Sequence, residues 1–178
     1  HHISRILINP SNTDEVVVGV VGHLYSKNEE RGIFKTTNGG KTWNKTLYID
    51  DETGIIDVVV SPKNFNVQYA ASWSKDRKAW DFIGSGATSG IYKSEDAGLT
   101  WKLFTTAESG FPVGEGVGRI GLAVYDDATV YAVLDNQFKR PLESKKSNSL
   151  PIAFSVPGDE FLKIPNKSLN SILKNYGL

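Results

Sequence analysis

The feature that most constrains this chain is an internal repeat. Residues 32–43, Gly-Ile-Phe-Lys-Thr-Thr-Asn-Gly-Gly-Lys-Thr-Trp, recur as residues 90–101, Gly-Ile-Tyr-Lys-Ser-Glu-Asp-Ala-Gly-Leu-Thr-Trp, at an offset of 58 residues and without a gap. Upstream of each copy lies a second shared element, Ile8-Asn9-Pro10-Ser11-Asn12 and Val60-Ser61-Pro62-Lys63-Asn64, and a weaker third start follows at Gly121-Leu122-Ala123-Val124-Tyr125. Repetition at this spacing points to copies of one supersecondary unit, stacked because a single copy cannot bury its own apolar face.

Each copy predicts four strands. In the first they cover residues 3–8, 15–21, 32–36 and 42–48; in the second, residues 55–60, 67–73, 90–94 and 100–104. All are rich in β-branched and aromatic residues and bounded by Pro, Asn, Gly and Asp. The third copy supplies strands at residues 119–125 and 129–134, preceded by a glycine-rich stretch, 113–118, that reads as a mobile connector. A stretch rich in Ser, Lys, Asn and Pro follows. Leu169, Ile172, Leu173 and Tyr176 are then spaced for an amphipathic helix, with Asn166 as N-cap and Gly177 as stop. The predicted fold is all-β: a β-propeller fragment of about two and a half four-stranded blades with a C-terminal helix. Residues 1–135 are the blades, and residues 136–178 a loop and helix insertion of the third. Propellers close with about 4–8 blades, so the expected partners include the remaining blades of a larger protein.

The twelve-residue element matches the Asp-box pattern, S-x-D-x-G-x-T-W. Residues 94–101 carry it as Ser94, Asp96, Gly98, Thr100 and Trp101; residues 36–43 carry a variant with Thr36, Asn38, Gly40, Thr42 and Trp43. These residue types suit a tight loop. The hydroxyl and the short carboxylate or amide bond backbone groups across it, and the glycine takes a positive φ. The tryptophan packs between blades. A calcium loop needs 6–8 oxygen ligands, more than these carboxylates supply, so the element reads as structural.

Composition narrows the chemistry. Twenty Lys and Arg balance twenty Asp and Glu, with no basic stripe, which argues against a nucleic-acid ligand. The absence of cysteine removes disulfides, zinc–thiolate sites and a thiol nucleophile. No apolar run reaches the roughly 18 residues of a membrane span, no signal peptide is visible, and no metal-ligand spacing or cofactor motif occurs. The loops between the second and third strands of a blade share a rim with the connectors to the next blade, so function is expected there.

Beyond the box, Ile3-Ser4-Arg5-Ile6, Gly22-His23-Leu24-Tyr25, Asn28-Glu29-Glu30-Arg31-Gly32, Trp80-Asp81-Phe82-Ile83-Gly84 and Val117-Gly118-Arg119-Ile120-Gly121 resemble the bacterial sortilin-type BNR-repeat proteins, often labelled glycosyl hydrolases. The resemblance covers roughly residues 3–141 and implies an exported protein: periplasmic, cell-surface or extracellular. It leaves two functions open. One is a module binding a glycan or protein partner on its rim. The other is a glycoside hydrolase, xyloglucanase-like or related, with active carboxylates partly outside this chain. For hydrolysis the candidate is Asp81, between Trp80 and Phe82 in a glycine-rich loop; the alternative is that these two aromatics merely pin the loop. Arg5 and Arg119, ahead of matching strands, are candidates for ligand contact or for pairing with a carboxylate between blades. His23 opens the first rim loop, as a ligand contact or as a packing residue.

Overall fold

The computed structural model describes residues 2–139 and 163–175. Two compact units emerge, residues 1–139 and 140–178.

The first unit is built from antiparallel sheets. β1 (His2–Asn9), β2 (Asn12–Gly22), β3 (Gly32–Thr36) and β4 (Asn44–Leu47) form one four-stranded sheet in chain order. β5 (Thr53–Ser61), β6 (Asn64–Ser74), β9 (Gly90–Ser94) and β10 (Lys102–Leu103) form a second in the same order. β7 (Asp76–Arg77) and β8 (Phe82–Ile83) make a small hairpin in the loop between β6 and β9, while β11 (Val117–Val124) pairs with β12 (Val130–Asn136). The described residues thus hold two complete propeller blades and two strands of a third.

The blades pack face to face. β2 lies against β5, and β11 against β5 and β6. Val17, Ile33, Ile55, Val58 and Ala70 form the buried seam between the first two blades, flanked by Leu7, Leu47, Tyr92 and Trp101. Val67, Tyr69, Ala71, Ile91, Val117 and Ile120 form the next, flanked by Leu122, Val124, Val130 and Leu134. Fully burying such an aliphatic side chain contributes roughly 1.5–3 kcal/mol. At the first seam a Cβ on Gly54 would lie 2.4 Å from the Val21 carbonyl oxygen, so blade two approaches blade one at a distance only glycine permits.

The fourth strands are shorter than predicted, because Thr42 and Thr100 bond within their loops and join no ladder. The connector at residues 113–118 needs correction at its end: Val117 and Gly118 begin β11, and Val117 is fully buried. Gly116 fits closely under the Phe138 ring, and its carbonyl accepts from Gln137 N at 2.9 Å.

In the second unit the described structure is helix α1 (Asn166–Asn175). The carbonyl of Pro165, not Asn166, stands at the N-cap position, accepting from Ser168 N at 2.9 Å and Leu169 N at 3.2 Å. The Asn166 cap is therefore displaced by one residue; Tyr176 and the Gly177 stop lie outside the described residues. No helix among the described residues is long and apolar enough to cross a membrane.

Candidate functional site

The two 58-residue-spaced loops close as hydrogen-bonded rings. In the second, Gly98 N donates to Ser94 Oγ at 2.9 Å, Ser94 Oγ donates to Asp96 Oδ1 at 2.8 Å, and Thr100 N and Leu99 N reach the same carboxylate at 2.8 and 3.0 Å. In the first, Gly40 N donates to Thr36 Oγ1 at 3.0 Å and Thr42 N to Asn38 Oδ1 at 2.9 Å. One bond reverses between them. Thr100 Oγ1 donates to Asp96, whereas the Asn38 amide donates to Thr42 Oγ1. Gly40 and Gly98 have φ of 85° and 83°. Trp101 packs on the first seam and donates to Gly98 O and Thr46 Oγ1; Trp43 is half-exposed. The hydroxyl, carboxylate and amide groups are consumed in holding their loops, while Trp43 departs from the packing between blades expected of it and is in neither seam.

The opposite rim holds a cavity. All three inner strands carry a bulge where they enter it. Ser4 is the extra residue in β1 and Ile56 in β5, and in β11 Gly118 and Arg119 oppose one partner residue. A bulge bends its strand and re-aims side chains. Here the bulges gather Arg5, Asp57 and Arg119 around a cavity of about 330 Å³, whose other lining residues include Trp73, Lys75, Arg77 and Phe82.

Asp57 is the carboxylate among the lining residues. It accepts from Arg5 Nε at 2.9 Å and from Leu122 N at 3.0 Å, linking all three repeats. Arg5 therefore takes the inter-blade pairing anticipated as its alternative, and it lines the cavity as well. Arg119 has no ion pair among the described residues. Its guanidinium lies 6.0 Å from the Trp73 ring centroid.

Trp73 organises the aromatic wall. Its Nε1 donates to Gly84 O at 2.8 Å, and Phe82 stands edge-on to it at 6.1 Å. Arg77 pairs with Phe82 across the hairpin and lies over its ring at 5.4 Å. Trp73, rather than Trp80, pins the long loop: Trp80 is 85% exposed. Asp81 is not among the lining residues. Its Oδ1 accepts from Phe82 N at 2.9 Å and its carbonyl from Lys78 N at 2.8 Å, closing the hairpin turn.

His23 also stands outside the lining. Its backbone N–H donates to Asn28 at 2.8 Å, its ring Nδ1 lies 3.0 Å from Ser26 Oγ, and its carbonyl accepts from Arg31 and Lys75 at 3.1 Å each. Arg31, buried, ties the same loop through Val21 O at 2.5 Å. The buried Lys75 ammonium is drawn below its ordinary value by desolvation, and the charges of Arg31 and Arg77 add to this.

A neighbouring groove is lined by Asp50, Glu52, Asp76 and Glu115 among others. Asp50 caps its turn by accepting from Glu52 N and Thr53 N, Glu52 pairs with Lys27 at 2.6 Å, and Asp76 with Lys78 at 2.8 Å. Among the described residues no group of three His, Cys, Asp or Glu is arranged to hold a metal ion.

Sequence reasoning missed Trp73, Lys75 and Asp57 as site residues. A signal existed for Trp73. It occupies the strand position that Val21 holds in the first blade, an exchange of aliphatic for aromatic between otherwise matching strands.

No family model and no curated protein matches the chain. Among solved structures it is similar to an ancestral GH74 enzyme, with 18% identity and a TM-score of 0.46 over 73% of this chain. The similarity spans 16% of that enzyme's length.

Proposed function

We propose that this chain belongs to a propeller whose rim binds a glycan, seated in the cavity at the heads of β1, β5 and β11. The observation that carries this reading is the wall itself. Trp73 and Phe82 line the cavity at 73° to one another, with a guanidinium group over each ring. Aromatic faces with a few convergent polar groups are the usual makings of a small-molecule site. Asp57 is committed to Arg5 and Leu122, so the cavity is equipped to hold a ligand better than to cleave one. Retaining and inverting glycosidases need paired carboxylates about 5–5.5 or 6.5–9.5 Å apart.

The resemblance to bacterial sortilin-type proteins supports an exported setting, with the 94–101 and 36–43 loops as Asp-boxes and the tail as an insertion of the third blade. The hydrolase alternative looks to the adjoining groove, where Glu115 has no ion pair among the described residues, and to Asp81. The test is a panel of oligosaccharides assayed for both binding and reducing-sugar release. Saturable binding that Phe82→Ala weakens about tenfold, equivalent to ~1.4 kcal/mol, without sugar release is the expected result. Release that Glu115→Gln or Asp81→Asn abolishes would replace binding by hydrolysis.

A further inference from the structure

Building on the glycan reading, we propose that this cavity is an oxyanion subsite, in which Arg77, Arg119 and Lys75 hold the carboxylate or sulfate of an acidic saccharide. The charge count is one-sided. Arg5, Lys75, Arg77 and Arg119 line the cavity against a lone carboxylate, Asp57, which already serves Arg5 and Leu122 N. Lys75, Arg77 and Arg119 have no ion pair among the described residues.

Each arginine lines the cavity beside an aromatic ring of its wall. Arg77 lies over Phe82 and Arg119 over Trp73. Each guanidinium carbon lies within the roughly 6 Å reach of a cation–π contact, and the forked donors of a guanidinium match a carboxylate or sulfate. Lys75 adds a compact charge to the lining. Its Nζ donates to His23 O and Leu24 O at 3.1 and 3.3 Å, and an ammonium has three donors. Burial holds this ammonium below its ordinary value, and the Arg31 and Arg77 charges press it further down. An arriving anion relieves that penalty, as no neutral sugar would.

A saccharide fits the site better than an acidic peptide does. The two rings, at 73° to one another, add apolar lining next to the cations, suited to the C–H groups of a pyranose whose acid group meets the arginines. At about 330 Å³ the cavity lies near the lower end of ligand-pocket sizes, which suits a small ligand or the end of a chain.

Titration calorimetry on the whole chain tests this with oligogalacturonate, its methyl ester, a sulfated galactan oligosaccharide, a neutral cello-oligosaccharide and oligoglutamate. The acid, the sulfate or both should bind at least about tenfold tighter than the ester, a difference of ~1.4 kcal/mol, and weaken as salt screens the contact. The ranking of carboxylate and sulfate identifies the source of the oxyanion. Arg77→Gln with Arg119→Gln, both exposed positions, should remove the preference for acid while leaving the unfolding curve unchanged. Equal binding of ester and acid, or a preference that survives the double substitution, overturns the subsite but leaves a glycan-binding rim. Oligoglutamate binding as tightly as the uronate also overturns it, in favour of an acidic peptide. Failure of every saccharide, neutral ones included, sinks the glycan reading itself.

Discussion

Asp57 carries more of the architecture than its short side chain suggests. It is 7% exposed, and its two oxygens are divided between a guanidinium of the first repeat and a backbone N–H of the third. Asp57→Ala leaves Leu122 N–H without its acceptor and should cost about 2–3 kcal/mol, since bonds to a charged group are worth roughly 1.5–3. Arg5→Ala should cost under about 1 kcal/mol, because the Arg5 side chain is 60% exposed and water screens its half of the pair. Urea unfolding of the two variants measures the contrast; equal losses would mean that the ion pair, and not the Leu122 bond, is what matters. The sequence marked Arg5 and offered pairing between blades as one of its roles. It could not mark Asp57, which sits in an apolar run, because its partners lie 52 and 65 residues away. Which carboxylate an arginine finds depends on strand register and on the bulges, and neither leaves a local pattern.

Elements closed by their own side chains were the most legible. The Ser94–Trp101 loop is held by bonds among residues two to four apart, so residue type and spacing foretold it. The β7–β8 hairpin was not legible. Two-residue strands have no periodicity, and the hairpin is held by a tryptophan from β6. The two repeated loops also differ in a titratable way. Burial pushes the Asp96 carboxyl up, but bonds from Thr100, Ser94 and Leu99 outweigh it and hold the group below its ordinary value. A carboxyl depressed in the folded state adds stability that is complete above its unfolded value, near pH 3.9, and is lost as pH falls through the folded one. Asp96→Asn should therefore give a shallower fall in stability on acidification below about pH 4 than the parent shows. Asn38 already supplies an amide at the matching place, so the variant loop retains its acceptor for Thr100 N. Thermal melts across the acid range check this, and parallel profiles would exclude Asp96 as a source of acid sensitivity.

Among the described residues, two seams are filled and several apolar side chains stand exposed. Ile3, Ile6 and Ile8 are 56–58% exposed along β1, and Tyr125, just past β11, with Tyr131 and Val133 on β12, are 65–78% exposed. Exposed apolar faces beside strand edges invite association. Val133→Lys should lower concentration-dependent self-association in sedimentation velocity while leaving the far-ultraviolet spectrum unchanged; a parent chain that stays monomeric at every concentration would count against a sticky face. The repeat made the blades and their stacking readable, but the cavity arises only where three repeats meet. One seam bond shows how far two copies can diverge. Lys35, buried in the first repeat, donates to Ala97 O in the second at 2.7 Å and pairs with Glu15 at home. Lys93, 58 residues on, stands at the same strand position but turns to Glu95, since Val67 replaces the glutamate. The acceptor across the seam is a backbone carbonyl, which any residue at position 97 would supply. One copy's lysine can thus cross the seam while the other's turns to a carboxylate of its own loop, with no change demanded of the neighbouring blade.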